Sequence, residues 1–238
     1  MASFRQNIIE QVMAMPVGRI FSFHDLDFEI EKSPLVAVYL SNLVKNNTLK
    51  KFEKGAYYRP KISSFGLGTL SVREEDKLDY LARKYDGYIT GAEVYNRLGL
   101  TEQVAMSVTL ATPNNVRNFK MGNLKVNCVK AYSNAYKDKE KLYYVWILDA
   151  VKDIKNVPET SEQKIYDRLK FLHLKNMNLD NLTTLVDIAQ SYPPRVRQTI
   201  ADMMGDLSHT QLEVKLRKGI LPSTRFNINY KRKVEYVN

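Results

Sequence analysis

Eight side chains within one stretch have the chemistry to hold a nucleic acid: Ser41, Asn42, Lys45, Lys50, Lys51, Lys54, Arg59 and Lys61. An amide can pair bidentately with adenine, a hydroxyl can reach a base edge or a phosphate, and lysine and arginine neutralise phosphate. Asn42 and Ser41 are thus the candidate base contacts to double-stranded DNA, and the cations are candidate phosphate contacts. From Lys32 to Lys61 seven Lys or Arg face a single acid, Glu53, whereas Asp25–Glu31 carries four acids and no base. Such a sign change points one face toward phosphate and the other away from it. The competing reading is a small structural module with a solvated basic hairpin, in which Asn42 is an ordinary solvent-facing residue. Ala37 and Val38 share the outward face and offer only apolar contact, for example to thymine methyls. No arginine is placed to read guanine.

Catalytic chemistry is sparse elsewhere. His24, His173 and His209 are the three histidines, and none has a second histidine at ligand spacing. Cys128 is the one cysteine, which excludes an intramolecular disulfide and a cysteine-built zinc site. Its place in an alternating strand pattern reads as a buried structural thiol. Gly66-Leu67-Gly68 lacks the third glycine, the Lys-Ser/Thr pair and the preceding strand of a phosphate loop. Asp149 and Asp153 stand one turn apart in an apolar helix. They could form a metal-binding pair, but the plainer reading is a solvated helix edge. Tyr57-Tyr58 and Tyr143-Tyr144 lie near basic residues and could stack on single-stranded bases, although one tyrosine of a hairpin pair ordinarily faces the core. The expectation is a protein with no catalytic residues, no metal and no cofactor, and not an enzyme.

The elements that must position the basic stretch can be read locally. Ser33 caps a helix and Pro34 suits its first position, where a missing N–H costs nothing. Val36, Leu40, Leu43 and Val44 recur at helical spacing, and Asn46-Asn47 is a stop. Thr48–Phe52 and Ala56–Arg59 are β-prone runs joined by Glu53-Lys54-Gly55, a hairpin signal. Upstream, Ser3–Met15 reads as a first helix and Arg19–Phe23 as a short strand. His24–Ile30 reads as the first helix of a helix-turn-helix pair. That order is a winged helix-turn-helix, whose second helix enters the major groove.

Ile62–Leu70 reads as a linker. The sequence then predicts helix over Val72–Tyr85, strand at Tyr88–Thr90, helix over Gly91–Leu98 and strand at Met106–Ala111. A hairpin follows around Gly122-Asn123, then a helix over Lys139–Lys155. Four helices come next, with starts near Thr160, Asp180, Pro193-Pro194 and Thr210. The tail from Thr224 alternates and fits a strand or an extended arm. The fold class expected is α+β in three segments. Residues 1–61 form the winged helix-turn-helix, 70–155 a small mixed α/β domain, and 156–238 a helical segment with a basic tail.

Composition agrees with a folded protein. Of 238 residues 44% are hydrophobic and 26% charged, and the net charge is +10, with the excess spread over all three segments. The N-terminus lacks the apolar run of a signal peptide, and Leu142–Leu148, the longest apolar run, is too short for a bilayer. A cytoplasmic protein with no membrane partner is expected.

Three stretches resemble the AbiEi-type antitoxins of type IV toxin–antitoxin systems. They are Gly18–Leu26 (GRIFSFHDL) with Val36–Gly66, then Gly91–Thr112 (GAEVYNRLGLTEQVAMSVTLAT), then Tyr192–Leu207 (YPPRVRQTIADMMGDL). The resemblance covers most of the chain, and the pairing of the wing with LGLTEQV carries its specificity. It implies a bacterial antitoxin that binds inverted repeats in its own promoter through the winged helix and represses the operon. It also implies that the chain counteracts a nucleotidyltransferase-like toxin without forming a stable complex. The chain departs from the family pattern at Ala37 and Val38, where such helices often carry Arg or Lys, and at Ala105, where Pro often follows Gln-Val. A stand-alone winged-helix transcriptional regulator and a nucleic-acid-processing enzyme are the alternative readings.

Overall fold

A computed structural model describes residues 3–64, 68–103, 105–158, 160–221 and 226–232. Ser3 caps α1 (Phe4–Ala14) by accepting the Gln6 N–H, and Ile8 and Val12, one turn apart, are fully buried. β1 (Ile20–Ser22) follows. The helix expected over His24–Ile30 is absent. Two single 3-10 turns, Phe23–Asp25 and Ile30–Lys32, stand there instead. The reason is local. Ser22 and Asp25 close a capping box around one turn, and Gln11 takes the Asp27 N–H at 2.7 Å. Asp25/Glu29 and Asp27/Glu31 would also repel at helical spacing. Leu26 is buried, but Ile30, its expected partner, is 84% exposed.

α2 (Ser33–Lys45) opens with Pro34 in its first turn, and Asn47 leaves it at φ 59°. β2 (Lys50–Glu53) and β3 (Ala56–Tyr58) form a hairpin whose turn needs Gly55 at φ 80°. The sheet order is β1-β3-β2, all antiparallel, with Ile20 opposite Tyr58 and Tyr58 opposite Lys50. Phe21, Val36, Leu40 and Leu49 join the two buried α1 residues in one apolar cluster, and Tyr57 packs against it. Each such side chain removed from water contributes roughly 1.5–3 kcal/mol before entropy is counted.

The stretch read as a linker turns back on itself: Leu70 donates to Lys61 O at 2.8 Å and Ser63 to Gly68 O at 2.8 Å. Residues 65–67 of it lie outside the described residues. α3 (Glu74–Lys84) then closes the first unit, since the chain divides into Met1–Lys84 and Tyr85–Asn238. The expected boundaries at 61/70 and 155/156 do not coincide with this division. α3 belongs with the N-terminal elements because Arg83 donates to Asp25 Oδ1 and to Ile20 O, each at 2.6 Å, while Tyr80 rests edge-on against Phe52.

The second unit is also mixed α and β. Its sheet runs β4 (Tyr88–Thr90), β5 (Val108–Thr112), β7 (Leu124–Lys130), β6 (Phe119–Met121), with β5 and β7 parallel. Gly122, at φ 60°, turns the β6–β7 hairpin as expected. The helices are α4 (Ala92–Arg97), α5 (Leu142–Lys152), α6 (Glu162–Arg168), α7 (Leu179–Ala189), α8 (Pro194–Asp206) and α9 (Thr210–Arg217). After α6 the chain widens into a π turn, Leu169–His173. One core runs from Tyr88 through Ile147 and Leu185 to Leu216, so the segments expected to be separate share a single interior. The tail at 226–232 is neither helix nor strand and turns tightly where the Ile228 N–H donates to Phe226 O, while 224–225 and 233–238 lie outside the described residues.

Asp149 is not a solvated helix edge. It is 1% exposed, and three hydroxyls converge on it: Tyr88 at 2.9 Å, Thr90 at 2.8 Å and Tyr192 at 3.0 Å. Burial raises its pKa against the pull of Lys152 and of these hydroxyls. Asp153 accepts instead from Tyr95 at 2.7 Å. Beside the cage, Trp146 donates to Ile89 O at 2.9 Å.

Candidate functional site

The helical period decides what α2 presents. Val36 and Leu40 are fully buried and Leu43 partly so, which turns Val38, Ser41, Asn42 and Lys45 outward. Val38 is 53% exposed, while Ala37 is only half-exposed. In the hairpin Lys51 and Lys54 are exposed and Lys50 is half-buried beside its cross-strand partner Tyr58. Lys61 is exposed just beyond Pro60. Among the described residues, Lys45, Lys50, Lys51, Lys54 and Lys61 have no acidic partner within ion-pair distance.

Arg59 is set apart from them. Its Nη1 donates to Met13 O at 2.6 Å and to Met15 O at 2.9 Å. It thereby satisfies carbonyls at the C-terminal end of α1, a role cations fill well because those groups carry partial negative charge. Of the eight candidates, the structure gives this one an internal task.

Two acids of the unit, Asp25 and Glu53, are also spent internally. Asp25 accepts from Ser22 N–H at 2.8 Å and meets Arg83 at 2.6 Å and Arg19 at 3.8 Å. Glu53 pairs with Lys84 and accepts from the Tyr80 hydroxyl. Burial works against the Glu53 charge, but Lys84 and Tyr80 outweigh it and hold the carboxyl below its usual range. Burial, then the neighbouring Glu53, pushes the Tyr80 pKa up to about 12. Between hairpin turn and α3 lies a cleft of about 540 Å³, lined by His24, Lys54, Tyr80, Arg83 and Lys84. Sequence reasoning missed Arg83 and Lys84 here. Their i, i+4 and cross-element partners only appear once α3 is folded onto β1.

Other candidate groups are occupied. His173 donates from Nε2 to Leu98 O at 2.9 Å, which leaves Nδ1 to accept from the Tyr143 hydroxyl at 2.5 Å. Tyr57 is taken by the core, against Phe21 and Phe23. Cys128 is half-buried rather than fully buried, and burial pushes its thiol up. No cluster of three or more metal-ligating residues occurs among the described residues. No helix among them is long and apolar enough to cross a membrane.

Residues 7–177 match a family model described as a family of unknown function, DUF6088. The chain belongs to the DUF6088 family. The match takes in all eight candidate residues and the Asp149 cage except Tyr192, and ends before α7. No curated protein matches. The crystal structure of the RV2827C protein from Mycobacterium tuberculosis is similar at 11% identity and a TM-score of 0.44, over 88% of this chain and 78% of that one.

Proposed function

We propose that this DUF6088 member binds double-stranded DNA through a winged helix-turn-helix built from residues 3–61 and regulates its own promoter without being an enzyme. One observation carries the reading. Ser41 and Asn42 stand exposed amid lysines that no acid neutralises, while the nearby acids Asp25 and Glu53 are turned into ion pairs with Arg83 and Lys84. Unneutralised lysines are what phosphate requires. In this reading α2 enters the major groove and β2–β3 is the wing. The 3-10 turns at Phe23–Asp25 and Ile30–Lys32 take the place of the first helix of the pair. Lys45, Lys50, Lys51, Lys54 and Lys61 contact phosphate, and Asn42 and Ser41 meet bases. The resemblance to AbiEi-type antitoxins supports two further parts: an inverted-repeat operator, and the countering of a nucleotidyltransferase-like toxin without a stable complex.

Gel shifts with the upstream promoter at several salt concentrations test the DNA part. Affinity should fall steeply with salt. Alanine at Lys50, Lys51 and Lys54 together should flatten the log–log salt slope by about 3, roughly one for each phosphate no longer neutralised. Asn42→Ala should change sequence preference more than salt slope. Affinity that is absent, or flat with salt, sinks the proposal. Finding a toxin-like gene beside this one and growth rescue on co-expression with it test the antitoxin part; DNA binding without rescue leaves a stand-alone regulator.

A further inference from the structure

The segment Phe226–Arg232 lies in a groove walled by α6, α8 and α9, with one tight turn where the Ile228 N–H donates to Phe226 O at 2.8 Å. Phe226, Ile228 and Tyr230 are half-buried and alternate with exposed Asn227, Asn229 and Lys231. Gln163 grips the main chain from both sides. Its Oε1 accepts the Lys231 N–H at 2.6 Å and its Nε2 donates to Lys231 O at 3.3 Å. The Glu162 carboxylate accepts the Asn229 N–H. Two side chains then read identity. Tyr230 stacks on Tyr166, with centroids 4.2 Å apart and planes 13° from parallel, and donates to Asp202 Oδ2 at 2.5 Å. Arg232 donates from Nε to Asp206 Oδ1 at 3.0 Å and lies 3.5 Å from both Asp202 and Glu213. Gly205 makes the room, because a Cβ there would overlap Arg232 and Glu213.

Burial and charge separate the groove from its occupant. The floor residues Tyr166, Lys170 and Asp206 are fully buried, whereas no described tail residue is. The walls set the carboxylates of Asp202, Asp206 and Glu213 against the cations of Lys170 and Arg217. Arg232 meets all three of these carboxylates. A main-chain clamp, an aromatic platform and an acidic end are the parts with which proteins recognise peptides.

We infer that this groove is a peptide-binding site for a segment bearing tyrosine and arginine two residues apart, held in reserve by the chain's own tail. The inference is independent of DNA binding. The test uses the full chain with Tyr230→Ala and Arg232→Ala, which vacates the groove, and a fluorescent peptide spanning Phe226–Arg232. The vacated chain should bind the peptide saturably. The unaltered chain should bind at least tenfold more weakly, since its tethered tail competes at high effective concentration. Adding Gln163→Ala, or replacing the arginine of the peptide by alanine, should weaken binding at least tenfold. A vacated chain that keeps its Trp146 fluorescence and far-ultraviolet dichroism yet binds no peptide overturns the inference. One that unfolds overturns it too, because the tail is then part of the core. In the unaltered chain the Asn229 and Lys231 amides should exchange at least tenfold faster than those of Ile200–Met204, and equal protection counts against it.

Discussion

Asp149 is where the second unit is most sensitive to a single atom. Replacing it with alanine strands three buried hydroxyls, those of Tyr88, Thr90 and Tyr192. Each orphaned donor costs about 1–3 kcal/mol, so Asp149→Ala should destabilise by about 3–9 kcal/mol. That is a large part of a typical domain's stability. Asp149→Asn should cost no more than about 1 kcal/mol near neutral pH, because Oδ1 still serves Tyr192 and the other two hydroxyls can turn to accept from the amide. The two also differ in pH dependence. Burial raises the folded-state pKa of Asp149, so the stability it contributes is complete below the ordinary aspartate value, about 4, and is lost as pH rises through the folded pKa. Relative to the asparagine variant, the unaltered chain should therefore lose stability as pH increases. Trp146, the single tryptophan, sits in α5 three residues before the cage, so urea unfolding followed by its fluorescence reads the relevant unit. The reasoning fails if asparagine is as damaging as alanine, or if the unaltered chain gains on the asparagine variant as pH is raised.

Two further perturbations probe how other parts are held. Arg83→Ala removes the bonds to Asp25 and Ile20 O and should cost the first unit about 2 kcal/mol, with α3 amides exchanging first. Gly205→Ala gains up to about 1 kcal/mol in helix propensity but drives Glu213 and Arg232 away. Hydrogen exchange should show the 226–232 amides freed, and a stabilised tail would count against the packing described.

Local chemistry carried much of the fold. Pro34 and Asn46 bracket α2, and Gly55 and Gly122 mark turns that only a positive φ permits, so these elements lie where the residues put them. Lys32 rather than Ser33 is the cap residue of α2, however, and the Ser33 hydroxyl donates to Ile30 O instead. His24–Ile30 misled because two apolar residues at helical spacing say nothing about a competing capping box one turn upstream. α3 was legible as a helix but not as a partner of β1, since its allegiance rests on Arg83 reaching residues far away in sequence. Asp149 looked like an exposed acid because the three hydroxyls that make burial tolerable come from β4 and from Tyr192. Of the candidate site, residue types and exposure on α2 and the hairpin were readable. The internal use of Arg59 was not, as nothing nearby in sequence shows that α1 ends beneath it.

The placement of Asp25 and Glu53 has a consequence beyond the hydrogen bonds they make. A cation with an anion beside it is a dipole, and its potential dies within a few ångströms. A lone lysine is a monopole, felt out to the Debye distance, about 8 Å at physiological salt. By drawing both acids toward Arg83 and Lys84, α3 leaves the hairpin lysines as monopoles. A helix that supplies none of the eight candidate side chains thus shapes the local field around the hairpin. Cutting the Arg83 and Lys84 pairs would change that field even if every hairpin lysine stayed in place.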